Sequence, residues 1–315
     1  MEKSNGVLSS ARIQPRGRFR LTQRAREEMA GYLCIMPWFI GFLIFTVGTM
    51  LFSLALVFFK TDLLTEYKFI GLGNLEKLVG DPLFRKSLSV TFYYTFVSVP
   101  LSLILGLSIA LGLNQNLPLQ SLWRTLYFLP SVVSGLAVAI IWRMIFNPEF
   151  GLLNQALALV GIEGPRWLFS EQWAMPAFII MGLWGAGGSM LLYLGGLQSI
   201  PTALYDAAKI DGASSWQCLW KITLPMLSPT IFFSLIMGII GSFQVFTQAL
   251  ILTDGGPNFA TLTIVLHLYR VGFQQLQFGY ASALAWVLFA IIMFFTILAF
   301  RSSSAWVYYE GEIRK

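Results

Sequence analysis

Charge is scarce in this sequence, and it is missing from long stretches where a soluble protein would need it. Charged residues make up 11% of the 315 residues, against 56% hydrophobic ones. A soluble domain is roughly one-quarter charged, so this composition excludes an ordinary globular chain and points to an integral membrane protein. Histidine occurs once, at His267, with no cysteine, second histidine or acid near it in the sequence. Neither a metal site nor imidazole catalysis follows from that, and the reading is structural. The two cysteines, Cys34 and Cys218, are expected at different depths, so no disulfide is assigned. No Gly-x-x-x-x-Gly-Lys-Ser/Thr phosphate loop occurs, and no set of acid, base and nucleophile shares a plausible site. The chain is therefore expected to be no enzyme, with no catalytic residue, metal or cofactor of its own, and it shows no internal repeat.

What is present is a series of apolar runs. Six stretches carry no Asp, Glu, Lys or Arg: 29–59, 87–123, 125–142, 172–205, 222–253 and 271–300. A spanning helix needs about 20 mostly apolar residues. The expected fold is an all-α integral membrane protein with six transmembrane helices. The spans are placed near Tyr32–Phe59, Leu88–Leu113, Phe128 to Asn147, Ala174–Leu197, Pro229–Leu252 and Gly279–Phe300. Lys3, Arg12, Arg16, Arg18, Arg20, Arg24 and Arg26 precede the first run, which places the N-terminus in the cytoplasm, and six spans return the C-terminus there. The division is a basic tail over 1–28, a six-helix domain over 29–302 and a C-terminal tail over 303–315. The polar start is not that of a cleavable signal peptide. No folded domain follows to present the tail to nucleic acid. Residues 60–86 and 147–173 are read as external loops, with Trp167 and Trp173 at the membrane boundary.

One polar island, residues 198–228, separates two apolar runs. Pro201 suits the first turn of a helix, and Asp206 is placed in or near that turn, at the positive end of the dipole. Ala207 and Ala208 form helix well, and Asp211-Gly212 ends it. Ser214 and Gln217 have capping-box spacing for a second helix, and Pro225 and Pro229 mark its re-entry into apolar sequence. The result is helix, sharp turn, helix, with a small-residue surface at the bend, where Ala213 also lies.

Within the spans a few positions stand out. Trp184, Gly185, Gly188 and Ser189 fall near the middle of the fourth; they serve either close helix packing or an opening for a sugar ring against Trp184. Gly241, Gln244 and Gln248 recur at helical spacing in the fifth, with Ser242 beside them, and that face looks into a bundle or a wet path. Arg143 lies close to Asn147-Pro148 and reads as an interfacial anchor. Leu262, Val265, Leu266, Tyr269 and Phe273 share a face, giving an amphipathic helix over 261–275 at the outer surface.

Asp206-Ala207-Ala208-x-x-Asp211-Gly212-Ala213, followed by Ile222-Thr223-Leu224-Pro225, resembles the EAA loop of binding-protein-dependent ABC importer permeases, with Asp206 where the family usually has Glu. Gly71-Leu72-Gly73-Asn74, Phe128-Leu129-Pro130, Gly195 to Pro201, Gly255-Gly256-Pro257 and Trp306 to Gly311 are similar to the sugar permeases of the maltose and glycerol-phosphate type. The likeness covers nearly the whole chain past the tail. It implies a type I ABC importer permease fold and a multi-pass protein of a bacterial or archaeal cytoplasmic membrane, set in a lipid bilayer. It implies a heterodimer with a second permease, two ATPase subunits that carry ATP and Mg, and an extracytoplasmic solute-binding protein. The coupling loop would dock on an ATPase subunit, Gly255, Gly256 and Pro257 would form an external signature turn, and transport would proceed by alternating access. The alternatives are an ion-coupled secondary transporter, for which the charge-free spans offer no carboxylate, and a glycerol-phosphate or polyol substrate.

Overall fold

The computed structural model describes residues 22–65, 67–115 and 117–308. Most of the basic tail and the last residues of the C-terminal tail lie outside them. The chain divides into a unit ending at Ser53 and a second beginning at Leu54. In the first, α1 (Gln23–Gly41) passes through a wider turn over Phe42–Gly48 into α2 (Thr49–Leu56). Thr49 Oγ1 donates to the Phe45 carbonyl at 2.7 Å, pairing a group that the irregular turn exposes. The helix ends at Leu56, short of the expected Phe59.

In the second unit Phe59 instead opens a hairpin of β1 (Phe59–Thr61) and β2 (Tyr67–Phe69), with Phe59 opposite Phe69. This small antiparallel pair departs from a purely helical reading. It is held by α3 (Gly73–Gly80), whose Asn74 Nδ2 donates to the Val57 and Phe59 carbonyls at 2.8 and 2.9 Å. The long helix α4 (Pro82–Leu113) begins well before the expected Leu88 and continues through Pro100. Asp81 starts it: Oδ1 accepts the Leu83 N–H at 2.8 Å, with Pro82 in the first turn.

The third span is not one straight helix. α5 (Gln120–Val132) and α6 (Gly135–Ile145) meet at 99°, and Ser134 caps the second. The fourth is α8 (Ala174–Trp184) and α9 (Gly187–Ser199), bent by 43° at Gly185-Ala186. Between the third and fourth lies the short α7 (Leu152–Leu159). After α10 (Thr202–Ile210), α11 (Ser215–Cys218) runs through Leu219–Thr223 directly into α12 (Leu224–Phe243). Pro225 and Pro229 therefore lie within a continuous helix, Ser215–Phe243, where it passes into apolar sequence. That helix stops before Gln244, short of the expected Leu252, and helical turns resume up to Thr253. α13 (Ile264–Tyr269) follows, then α14 (Phe278–Trp306), which carries the last span into the expected tail. Beyond it Tyr308 N–H donates to Ser228 Oγ at 2.8 Å. Among the described residues four helices are long and apolar enough to cross a membrane, and up to six spans result when each bent pair is one crossing.

α4 lies at the centre of this unit, packed against α8, α9, α12 and α13. Ala110, Phe146, Phe178, Tyr193 and Leu227 are fully buried around it. α13 differs from the expected surface helix. Ile264, Leu266, His267 and Val271 are buried, while Phe273 of the expected apolar face is exposed.

His267 also gains a partner that lies far from it in sequence. Its Nε2 stands 3.3 Å from Asp81 Oδ2, which also accepts the Tyr280 hydroxyl. Lys77 sits 4.3 Å from the centre of the Tyr280 ring. Asp81 thus caps α4 and joins it to α13 and α14. Burial pushes the Asp81 carboxyl up, but hydrogen bonds from Tyr280 and the Leu83 N–H, with charge from His267, outweigh it and hold it below the usual carboxylate value. Burial pulls His267 below its ordinary value despite the nearby carboxylate. Both groups bind protons more readily unfolded, so their contribution is present near neutral pH and is lost on acidification. His267 contributes first, as pH falls below its ordinary value of 6.5, and Asp81 follows below 3.8. Asp81→Ala should cost about 1–3 kcal/mol through the lost cap and the unpaired Tyr280 hydroxyl. Thermal unfolding of the purified protein in detergent checks this. A melting temperature equal to wild type, or an acid dependence between pH 7 and 5 unchanged in His267→Gln, would show that the cluster carries no stability.

Candidate functional site

The broken spans four and five face a cavity of about 450 Å³. Ser189 reaches it from α9, and Ser242 and Gln248 from the two sides of the break in the fifth span. Gly182, Gly238 and Gly241 open the backbone around it. At this break the Val245 carbonyl accepts Thr263 Oγ1 at 2.8 Å, and Thr263 also caps α13. At the break in the fourth span the Ala186 carbonyl accepts Ser189 Oγ at 2.8 Å. The Ala186 carbonyl also accepts the Met190 N–H at 3.2 Å, as the first bond of α9, while the Val245 carbonyl takes its partner from Thr263 within the chain, as an apolar surrounding requires.

Only part of the expected substrate face is assembled here. Ser189, Ser242 and Gln248 line the cavity; Trp184, Gly185, Gly188 and Gln244 do not. Gln244 follows the last residue of α12 and is exposed, because the helical spacing from Gly241 to Gln248 breaks at that point. Trp184 points its ring edge-on to Trp142, with centroids 5.9 Å apart. Gly188 faces Ser131 of α5, so it serves packing. Sequence reasoning missed Tyr94, Ser98 and Ser102 of α4 and Ser234 of α12, which also line the cavity. The signal was there: Tyr94, Ser98 and Ser102 recur every four residues along α4.

The polar island folds as a self-contained unit. Gly212 has φ +75°, which suits glycine at a helix end. Its N–H donates to the Lys209 carbonyl at 3.1 Å, and the Ala213 N–H donates to that of Ala208 at 2.9 Å. Ser214 and Gln217 form the expected reciprocal capping box, at 2.8 and 3.3 Å. Asp206 falls near the first turn, as expected, but not in it: α10 begins at Thr202 and has no acid in its first turn. Asp206 instead lies in the second turn, 3.6 Å from Lys209, and both are exposed. Asp206, Ala207, Asp211 and Gly212 are exposed, and Ala208 and Ala213 are half-buried. Tyr205 Oη meets Thr223 Oγ1 at 2.9 Å and ties α10 to the base of the fifth span. Ile210 is 87% exposed and Trp216 66% exposed, so the unit presents apolar side chains without covering them.

Asp254, Gly255, Gly256 and Pro257 form a tight loop, with Asp254 and Gly255 left-handed and a cis bond before Pro257. Thr253 and Thr261 join their hydroxyls at 2.6 Å across it, and Arg270 pairs with Asp254 at 3.0 Å.

Residues 84–306 match the family described as "Binding-protein-dependent transport system inner membrane component". The chain is 43% identical over 292 residues to the probable ABC transporter permease protein YesP of Bacillus subtilis, covering 91% of this chain and 94% of that one. It is 36% identical over 281 residues to the trehalose/maltose transport system permease protein MalF of Thermococcus litoralis, covering 87% and 93%. Its fold is similar to that of a chain of a bacterial alginate ABC transporter solved with its periplasmic protein. The TM-score is 0.80 at 24% identity, covering 90% of this chain and 97% of that one. The chain belongs to the family of binding-protein-dependent transport system inner membrane components, the permeases of ABC importers.

Close helix approach is part of this architecture, and Gly187 is where it is tightest. A Cβ there would overlap the Tyr127 carbonyl of α5, whereas one at Gly188 would meet Ser131 Cβ at an ordinary 3.5 Å. Gly187→Ala should therefore force α5 and α9 apart and lower the yield of folded, membrane-inserted protein severalfold, while Gly188→Ala leaves it near wild type. Size-exclusion profiles in detergent compare the two. Equal behaviour would remove the packing role of Gly187.

Proposed function

We propose that this chain is the membrane subunit of an importer that takes up a sugar or oligosaccharide, with ATP hydrolysed on partner subunits. The single observation that carries the coupling role is the capped, exposed helix–turn–helix of residues 202–218. It keeps its shape through its own hydrogen bonds yet leaves Ile210 and Trp216 uncovered, as a docking element must. An ATPase subunit is the partner proposed for Asp206 to Ala213, on the cytoplasmic side with both termini. A second permease and an extracytoplasmic solute-binding protein complete the assembly. The trehalose/maltose permease of Thermococcus litoralis and the lactose permease LacF of Rhizobium radiobacter, 35% identical, support a saccharide as the cargo. So does the cavity chemistry: serine and tyrosine hydroxyls with the Gln248 amide both donate and accept, matching sugar hydroxyls. Motion of α10 would reach the cavity through the Tyr205–Thr223 contact and the continuous helix Ser215–Phe243.

Two substitutions separate these roles. Gly212→Pro cannot adopt φ +75° and removes the N–H that closes α10. The chain should still insert, but ATP hydrolysis of the assembled importer should no longer respond to loaded binding protein. Substrate-stimulated hydrolysis at the wild-type level in that variant would refute the coupling assignment. Gln248→Leu should cut transport roughly five- to a hundredfold, the equivalent of about 1–3 kcal/mol for an unpaired polar contact, while assembly and basal hydrolysis persist. Loss of assembly in Gln248→Leu would make it a packing residue instead.

A further inference from the structure

A second cavity, about 610 Å³ in volume, opens where the end of α6, the Leu168-Phe169 turn and residues 250–257 meet. Its walls carry Arg143, Asn147, Phe169 and Asp254. Arg143 is exposed and makes no ion pair or hydrogen bond among the described residues. An arginine at the end of an apolar span holds its charged head at the interface, so the exposed guanidinium is accessible to a ligand. The Asp254 carboxylate on the same wall is not paired with it, because its Oδ1 is held by Arg270 at 3.0 Å. The guanidinium therefore leaves the cavity one uncompensated positive charge. Beside it, Asn147 Oδ1 is occupied by the Glu149 and Phe150 N–H groups, which leaves its amide Nδ2 as a donor. Phe169 is 62% exposed and offers an apolar plate.

We propose that this cavity is a saccharide subsite for an acidic sugar, with the Arg143 fork taking the carboxylate of a hexuronate. A planar guanidinium matches a carboxylate with two parallel hydrogen bonds. Asn147 Nδ2 donates to a neighbouring hydroxyl, and the Phe169 ring covers one face of the pyranose. The subsite rests on the permease reading but is separate from the cavity between spans four and five, and it assigns to Arg143 a role beyond anchoring.

The test uses the assembled importer in lipid nanodiscs. Phenylglyoxal modification of Arg143, followed by mass spectrometry, is measured with glucuronate, galacturonate or mannuronate, and with the matching neutral hexoses. At least one uronate should slow modification threefold or more while its hexose does not. Arg143→Lys, probed for uronate binding by equilibrium dialysis, should bind several-fold more weakly, and Arg143→Gln at least tenfold more weakly. No protection by any uronate, or equal protection by the hexoses, overturns the proposal. An Arg143 that phenylglyoxal cannot reach without ligand also overturns it, since the side chain is then a subunit contact. The coupling assignment is tested independently by Gly212→Pro, so either reading can fail alone.

Discussion

Inside an apolar membrane every backbone N–H and C=O must find a partner within the protein. Helices meet that requirement at no cost, and each place where this chain leaves the helix needs a replacement. The replacements are local and specific. Ser134 caps α6 after the sharp turn, the Ala186 carbonyl accepts both the Met190 N–H and Ser189 Oγ, and Thr263 Oγ1 donates to the Val245 carbonyl. The cavity lies between the second and third of these breaks, and Ser189 contributes to its lining.

α4 is the element that the breaks are arranged around. Its N-terminus is fixed by Asp81, whose other oxygen joins His267 and Tyr280. Further along, Thr91 Oγ1 accepts the Ile264 N–H at 3.0 Å, so α13 is held to α4 at two levels. Still deeper, α4 supplies Tyr94, Ser98 and Ser102 to the cavity wall. One helix therefore joins the buried ionic cluster, the support for the fifth-span break and the polar lining.

The helix–turn–helix of residues 202–218 obeys the opposite constraint. It has almost no buried surface, and no residue of α10 is buried. Its stability comes from caps: the turn at Gly212, the Ser214–Gln217 box and the single link from Tyr205 to Thr223. A unit stabilised in this way can offer its apolar side chains to a partner without collapsing onto its own chain. The fifth span follows it without interruption, as the continuous helix Ser215–Phe243.

The sequence by itself determined the class of protein, its apolar runs and the local shape of the 202–218 helix–turn–helix. Charge-free runs are legible because burying charge in a bilayer is expensive. Gly212, Ser214 and Gln217 are legible because caps are local in sequence and need no tertiary partner. Local reasoning put Asp206 in or near the first turn, and it lies just past it, since a proline does not by itself fix the first helical residue: Pro201 is the cap. Where the spans break was not legible: neither the 99° turn after Val132 nor the stop before Gln244 follows from hydropathy, which cannot distinguish a straight apolar helix from a bent one. Those breaks took Gln244 and Trp184 away from the cavity and brought in Tyr94 and Ser98 from a helix far away in sequence. Tertiary structure alone paired His267 with Asp81, since two residues 186 positions apart meet only after the helices that carry them have packed.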